Sequence, residues 1–391
     1  MSVDAIVAGH ICLDVIPTLN SGQANLEQMM IPGRLSEVGS AVLSPGGPVS
    51  NTGLALHRLG IKTRLMGKVG NDVFGQAILE AIESEGQGLT EGMAVMDSEA
   101  SSYTVILSPP DVDRIFLHHP GCNDTFAADD LRYDMLEKAR LFHFGYPPIM
   151  KRMYQEDGAE LVEIFRRARR TGVTTSLDMA MPDPNAPSGQ ADWKKILKVT
   201  LPHVDLFLPS VEEMLFMLQR DVFDALSQGE KIPAELVSKL GQELIDMGVT
   251  VVGLKAGELG LYLRTADEPS LADMGRARPS DFATWADREL WSPCFETAVA
   301  GTTGAGDATI AGFLSGLLRD MSPEQTLTAA CAVGACNVEA ADSLSGIRSW
   351  SETLARIADG WPRRHLFLNA PGWRFDPDRQ LWIGPADAQG I

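Results

Sequence analysis

The sequence predicts an α/β protein with a mainly parallel central sheet covered by helices on both faces, and three observations lead there. Strand candidates, short runs in which apolar or β-branched residues predominate, recur at residues 5–8, 63–67, 141–144, 174–177, 206–208 and 250–254. Between them lie stretches of helical period, at 74–84, 159–170 and 234–247. The alternation proceeds without internal repeats, as a βαβ succession requires. A chain of 391 residues, 45% of them hydrophobic, can bury a substantial core, and large α/β folds reach this length as one unit.

Two segments interrupt the rhythm. Residues 15–43 and 102–119 read as β-hairpins; in the second, Tyr103, Val105 and Leu107 and then Ile115 and Leu117 fall at every second position. Residues 265–288 are rich in Asp, Pro, Ser and Ala without sustained periodicity, as in an insertion, expected near the side where a nucleotide would bind. From Trp361 the chain carries Pro362, Pro371, Pro377 and Pro385, yet also Phe367, Trp373, Phe375 and Trp382. That much aromatic surface predicts a C-terminal extension, 351–391, packed on a body formed by 1–350.

The chemistry concentrates in one stretch. Ile310, Phe313, Leu314, Leu317 and Leu318 fall at i, i+3, i+4, i+7 and i+8, so a helix follows the turn Gly301, Thr302, Thr303, Gly304, Ala305, Gly306. First-turn amides have no intrahelical acceptors, and small residues let an anion approach them at the positive end of the helix dipole. Asp307 either caps this helix or accepts a proton from an alcohol beside the anion hole. The company of two hydroxyls and three small residues favours the second reading, with the amides of Gly304, Ala305 and Gly306 holding developing charge.

A second group lies some 250 residues upstream: Gly46 and Gly47, then Asn51, followed by a helical stretch, and then Gly70, Asp72 and Gly75. Paired glycines allow backbone to approach a ligand, and an amide side chain both donates to and accepts from hydroxyls. Asp14 stands five residues beyond Gly9, at which the first apolar strand ends. Together, Thr302 to Asp307, the Gly46, Gly47 and Asn51 group, and Asp14 resemble the signatures of the ribokinase-like, PfkB-type carbohydrate kinases.

That resemblance implies a three-layer α/β/α domain with a small β lid, the hairpin segments being the lid, which often pairs between subunits to form a homodimer. It implies an ATP-dependent kinase with Mg²⁺, in which Asp307 is the general base and Asp14, Gly46, Gly47 and Asn51 bind the sugar. Thr302 and Thr303 would face the nucleotide. Ser210 and Glu213 resemble the family's Asn-x-x-Glu segment, with Ser in place of Asn; Ser210 would belong to the nucleotide site and Glu213 would organise the metal, although Glu212 or Glu213 could merely cap the helix. Lys255, Gly257 and Gly260 resemble its Gly-x-x-Gly turn beside ATP, or form a plain turn. The family commonly begins its C-terminal motif with an Asp that takes part in a monovalent-cation site. Here that position is Gly301, so weak or absent K⁺ activation is expected. A nucleoside kinase, its base stacked on Tyr103 or Phe116, and a ligand-binding relative without turnover are the alternatives.

Other features bound this reading. Asp178 ends the run 174–177, where ligands gather in open α/β sheets. The adjacent His118 and His119 lack a third ligand and read as packing residues. A formal charge of −19 argues against nucleic acid or an anionic membrane as partner. Five cysteines without a Cys-x-x-Cys pair, no basic leader and no run of 18 apolar residues predict a cytoplasmic protein. No Gly-x-x-x-x-Gly-Lys-Ser/Thr element occurs, which excludes a P-loop enzyme.

Overall fold

In the computed structural model, residues 3–19, 31–109, 115–226 and 232–390 are described. The strands in chain order are β1 Val3–Gly9, β2 Cys12–Pro17, β3 Ala41–Gly46, β4 Thr63–Met66, β5 Lys68–Gly70, β6 Ala94–Met96, β7 Tyr103–Leu107, β8 Ile115–His119, β9 Ala139–Gly145, β10 Thr174–Leu177, β11 Leu206–Phe207, β12 Val251–Lys255, β13 Leu261–Thr265, β14 Glu289–Ser292, β15 Arg374–Asp376 and β16 Leu381–Ile383. Ten of them form one sheet in the order β15-β16-β14-β13-β12-β11-β10-β9-β1-β4. From β4 to β12 all neighbours are parallel; from β12 to β15 they are antiparallel.

Strand periodicity divides the core into two layers. In β1, Ala5 and Val7 join one cluster, packed beneath helices Pro48–Arg58, Val73–Glu85, Ala305–Leu318 and Pro323–Asn337. Ile6 and Ala8 face the other, under Ala159–Arg170, Trp193–Thr200, Val211–Leu218 and Ala234–Asp246. Leu161, Ile164, Phe165 and Ala168 show how a helix is held there: the i, i+3, i+4, i+7 stripe is buried and the arginines between it are not. This is the expected α/β/α sandwich. The strands expected from apolar runs all occur, within a residue or two of their predicted ends.

The hairpin segments form a second, four-stranded sheet, β3-β2-β7-β8. It reaches further than expected, because β2 begins at Cys12 and β3 ends at Gly46, so Asp14 and Gly46 are lid residues themselves. Residues 20–30 and 110–114 of the two lid segments lie outside the described residues.

One placement differs from expectation. The 265–288 segment, expected near the nucleotide side, packs at the opposite end of the sheet. Arg276 donates to the carbonyls of Leu136, Ala139 and Thr171, and the amide of Ala277 donates to Thr174 Oγ1, all at the amino ends of β9 and β10. The reason is topological: β13 runs antiparallel to β12, so the chain leaves Thr265 beside Val251, at the amino end of the parallel strands. The C-terminal extension, for its part, is built into the body. β15 and β16 extend the main sheet, and the buried Asp387 carboxylate bonds Arg288 Nε at 2.9 Å while Glu324 takes a second guanidinium nitrogen at 2.7 Å.

Candidate active site

The site is assembled at the carboxyl ends of the parallel strands and from the residues just beyond them, the edge where open α/β sheets bind ligands. β1 ends at Gly9 and is followed by His10; β9 ends at Gly145 and is followed by Tyr146; β10 ends at Leu177 and is followed by Asp178; β12 ends in Lys255 itself. The glycine turn closes over these residues. Gly304 has φ +71°, the left-handed conformation that an L side chain rarely adopts, and it starts the helix Ala305–Leu318. Asp307 lies in the first helical turn and is 2% exposed.

The Asp307 carboxylate accepts three side-chain hydrogen bonds: from Asn51 Nδ2 at 3.1 Å and the Tyr146 hydroxyl at 2.9 Å on Oδ2, and from Thr52 Oγ1 at 3.0 Å on Oδ1. Burial raises its pKa, while these donors and the charge of Lys255 pull the other way. The result is a carboxylate more basic than usual yet held in one orientation. Tyr146 reaches it from a left-handed backbone, φ 64°, a rare conformation for a bulky residue and one that clusters at functional sites. Asn51 Oδ1 is buried and has no partner among the described residues.

Behind the turn, Lys255 Nζ donates to Asp178 Oδ1 at 2.5 Å and to the Leu208 carbonyl at 2.7 Å. Burial works against the ammonium, but Asp178, Glu213 and Asp307 outweigh it and hold the lysine above its ordinary value. Lys255 therefore stays a cation in a strongly acidic protein.

Two cavities flank the turn. The smaller, about 460 Å³, is lined by Lys255, Gly257, Gly260, Thr302, Ala305 and Gly306. The larger, about 1160 Å³, holds His10, Asp14, Gly47, Tyr103, His118 and Thr303 under the lid. Thr302 thus faces one cavity and Thr303 the other. Asp14 lies against Gly46, where a Cβ would come within 2.3 Å of its carboxylate, so a larger residue there would push the carboxylate aside. Burial raises the Asp14 pKa to about 6 against opposing hydrogen bonds from Cys12 and Thr104.

Ser210 and Glu213 lie elsewhere than the lining of these cavities. Ser210 Oγ accepts from the Glu213 amide and Glu213 Oε2 accepts from the Ser210 amide, a reciprocal helix cap. Glu213 is still close enough to raise the pKa of Asp178. Within the turn, Ala305 N–H donates to Thr302 O at 3.3 Å, which leaves Gly304 and Gly306 as the amides better placed for an anion. A Cβ on Gly301 would lie 2.8 Å from the Ala341 carbonyl oxygen, so an acidic side chain has no room there without backbone movement. Arg364, from the C-terminal extension, also lines the smaller cavity.

His10, Thr52 and Tyr146 were not anticipated from the sequence, although His10 and Tyr146 obey the strand-end rule that singled out Asp178. His118 and His119, expected as packing residues, both line the larger cavity, with His118 Nδ1 3.0 Å from Thr104 Oγ1. The two rings have different neighbours, His118 beside His10 and His119 beside Tyr103.

Fold and site define a phosphotransferase of the α/β/α kind, with an alcohol as acceptor. The chain belongs to the pfkB family of carbohydrate kinases, whose model matches residues 5–349. It is 28% identical over 272 residues to an uncharacterized sugar kinase of Archaeoglobus fulgidus, covering 70% of this chain and 89% of that one. It is 23% identical over 320 residues to fructokinase-1 of Zea mays, covering 81% and 84%. The ribokinase of Arabidopsis thaliana, solved with ribose and ATP, superposes with a TM-score of 0.67 at 17% identity, over 91% of this chain and 98% of that one, and shares the ribokinase-like fold. No helix among the described residues is long and apolar enough to cross a membrane.

Proposed function

We propose that the protein transfers the γ-phosphate of ATP to a hydroxyl of a sugar bound in the larger cavity, with Asp307 as the general base. The observation behind this is the position of Asp307: a buried, triply hydrogen-bonded carboxylate at a glycine turn that divides two cavities. Asp14, Gly47 and Asn51 Oδ1 offer the acceptor hydroxyls their partners, and Gly46 keeps Asp14 in place. The attacking hydroxyl gives its proton to Asp307 as its oxygen bonds to the γ-phosphorus, while the bond from that phosphorus to the β,γ-bridging oxygen breaks and ADP leaves. Thr302, Gly257, Gly260 and Lys255 line the nucleotide side, and the amides of Gly304 and Gly306, with the Lys255 ammonium, stabilise charge on the transferring phosphoryl group. Ser210 acts here through its cap on Glu213.

Among the described residues no group of three or more acidic, histidine or cysteine side chains could cage a metal ion. Glu213 and Asp178 are hard oxygen donors near Lys255, which fits Mg²⁺, an ion that keeps much of its water and takes one or two carboxylates beside substrate phosphates. When bound, Mg²⁺ would neutralise phosphate charge.

Acceptor binding should follow the ionisation of Asp14. Its carboxylate, the better hydrogen-bond acceptor, is present above pH 6 and lost below it. The acceptor KM is therefore expected to rise as pH falls through about 6, and an Asp14→Asn variant to have a high, pH-independent KM. A flat wild-type KM between pH 5 and 7.5 would contradict the role of Asp14.

Because Gly301 is pressed against Ala341, we expect turnover in K⁺ to match that in Na⁺ within about twofold; a large rise in K⁺ would refute this. Tyr103 lines the acceptor cavity, which keeps a nucleoside as a second reading of the acceptor. The homodimer through the lid remains part of the proposal: Val42, Leu43 and Leu117 expose about half their surface there.

A further inference from the structure

His10 is a polar group in the acceptor cavity that the proposed transfer leaves unused. It is 2% exposed, and neither Nδ1 nor Nε2 has a hydrogen-bond partner among the described residues. Its ring centroid lies 5.2 Å from that of His118 on the lid and 6.4 Å from that of Tyr146, whose hydroxyl is on Asp307. The ring backs onto Gly47, where a Cβ would come within 2.7 Å of Nδ1, so the imidazole is fixed between the backbone and the cavity. A buried polar group without a partner is destabilising, and a ligand supplying that partner recovers the loss.

Burial, helped by the neighbouring His118, holds His10 well below the usual histidine range. Burial likewise lowers His118, with His119 adding to it. Both rings are therefore neutral near pH 7, and a neutral imidazole offers one donor and one acceptor. A hydroxyl matches both functions, whereas an ionised phosphate or carboxylate oxygen can only accept.

The remaining wall has the same preference. Asp14, Asp124 and Asp183 line the cavity, and its described lining residues include neither lysine nor arginine. A phosphate or carboxylate on the acceptor would be desolvated among acids without a counter-ion, which is the repulsive half of specificity. Cationic help lies on the other side of the turn, at Lys255.

We propose that His10 is a specificity-determining residue of the acceptor site, and that this site selects an uncharged polyhydroxyl compound over sugar phosphates and sugar acids. The inference rests on the kinase reading and narrows its substrate class. A free sugar and the ribosyl group of a nucleoside share this chemistry.

The test uses the full chain with ATP and Mg²⁺. ADP release is measured with D-fructose, D-ribose and adenosine, and with fructose 1-phosphate, ribose 5-phosphate and gluconate. Binding of the same six compounds is measured by calorimetry. The expected result is a kcat/KM, or where nothing turns over a binding constant, at least 100-fold higher for the best uncharged compound than for any anionic one. The sugar and nucleoside arms then tell the two sources apart. His10→Phe should raise the acceptor KM or Kd more than tenfold and leave the ATP KM within twofold; His10→Gln, which keeps a donor and an acceptor, should recover most of the loss. A preference for an anionic compound, or wild-type acceptor affinity in a folded His10→Phe protein, would overturn the proposal. Absence of ADP release with all six would count against the kinase reading, while calorimetry would still decide this one.

Discussion

Asp307→Asn is expected to lower kcat for acceptor phosphorylation by roughly 10²–10⁴-fold, the span that a positioned general base contributes, and to leave the protein folded. The exchange is isosteric. It removes a charge whose burial is unfavourable, the cause of the raised pKa, while the amide oxygen can keep the bonds from Asn51 and Tyr146. The third donor, Thr52, then faces an amide NH₂ and loses its acceptor, a loss of about 1 kcal/mol. The effect therefore falls on turnover far more than on stability. Steady-state kinetics with thermal unfolding as control measures both, and a folded variant with more than a tenth of wild-type kcat would remove Asp307 from the role of base.

The second large effect is at Lys255. In Lys255→Met the Asp178 carboxylate, its side chain 2% exposed, is left without its cation. Breaking a buried pair in this way costs about 3–5 kcal/mol, less whatever Asp178 recovers by taking up a proton. Turnover should fall with it, since the same ammonium lines the nucleotide cavity. Stability and activity can be separated with Lys255→Met combined with Asp178→Leu, which replaces the pair by apolar groups. The double variant is expected to regain most of the stability and none of the turnover. Recovery of both would mean that the lysine only neutralises Asp178; full stability in the single variant would mean that the pair is not buried as described.

The fold was legible because its parallel strands are buried on both faces. Such strands read as apolar runs, unbroken over 5–8 in β1 and 251–254 in β12. The antiparallel end was harder: β15 and β16 are three residues each, in a proline-rich tail whose aromatic residues indicated packing but not sheet formation. The site divides in the same way. Asp307, Asn51, Gly46 and Gly47 belong to local patterns with their own physical logic, so the sequence exposes them. His10 and Tyr146 are single residues whose importance comes from strand register: Gly9 pairs with Gly145, which brings their successors in the chain together. Ser210 and Glu213 carry two signals at once. A capping box and a metal-organising segment share one spacing; the cap is formed, and the metal role of Glu213 belongs to the proposal.

These pieces meet in one claim, that a hydroxyl in the larger cavity is phosphorylated from ATP across the glycine turn. ³¹P NMR of the protein with ATP, Mg²⁺ and each uncharged acceptor in turn tests it most directly. The account predicts that the γ-phosphate signal is replaced by a phosphomonoester of the acceptor, in step with ADP, and that neither appears with Asp307→Asn. Conversion of ATP only to ADP and inorganic phosphate, at a rate indifferent to the acceptor, would contradict it.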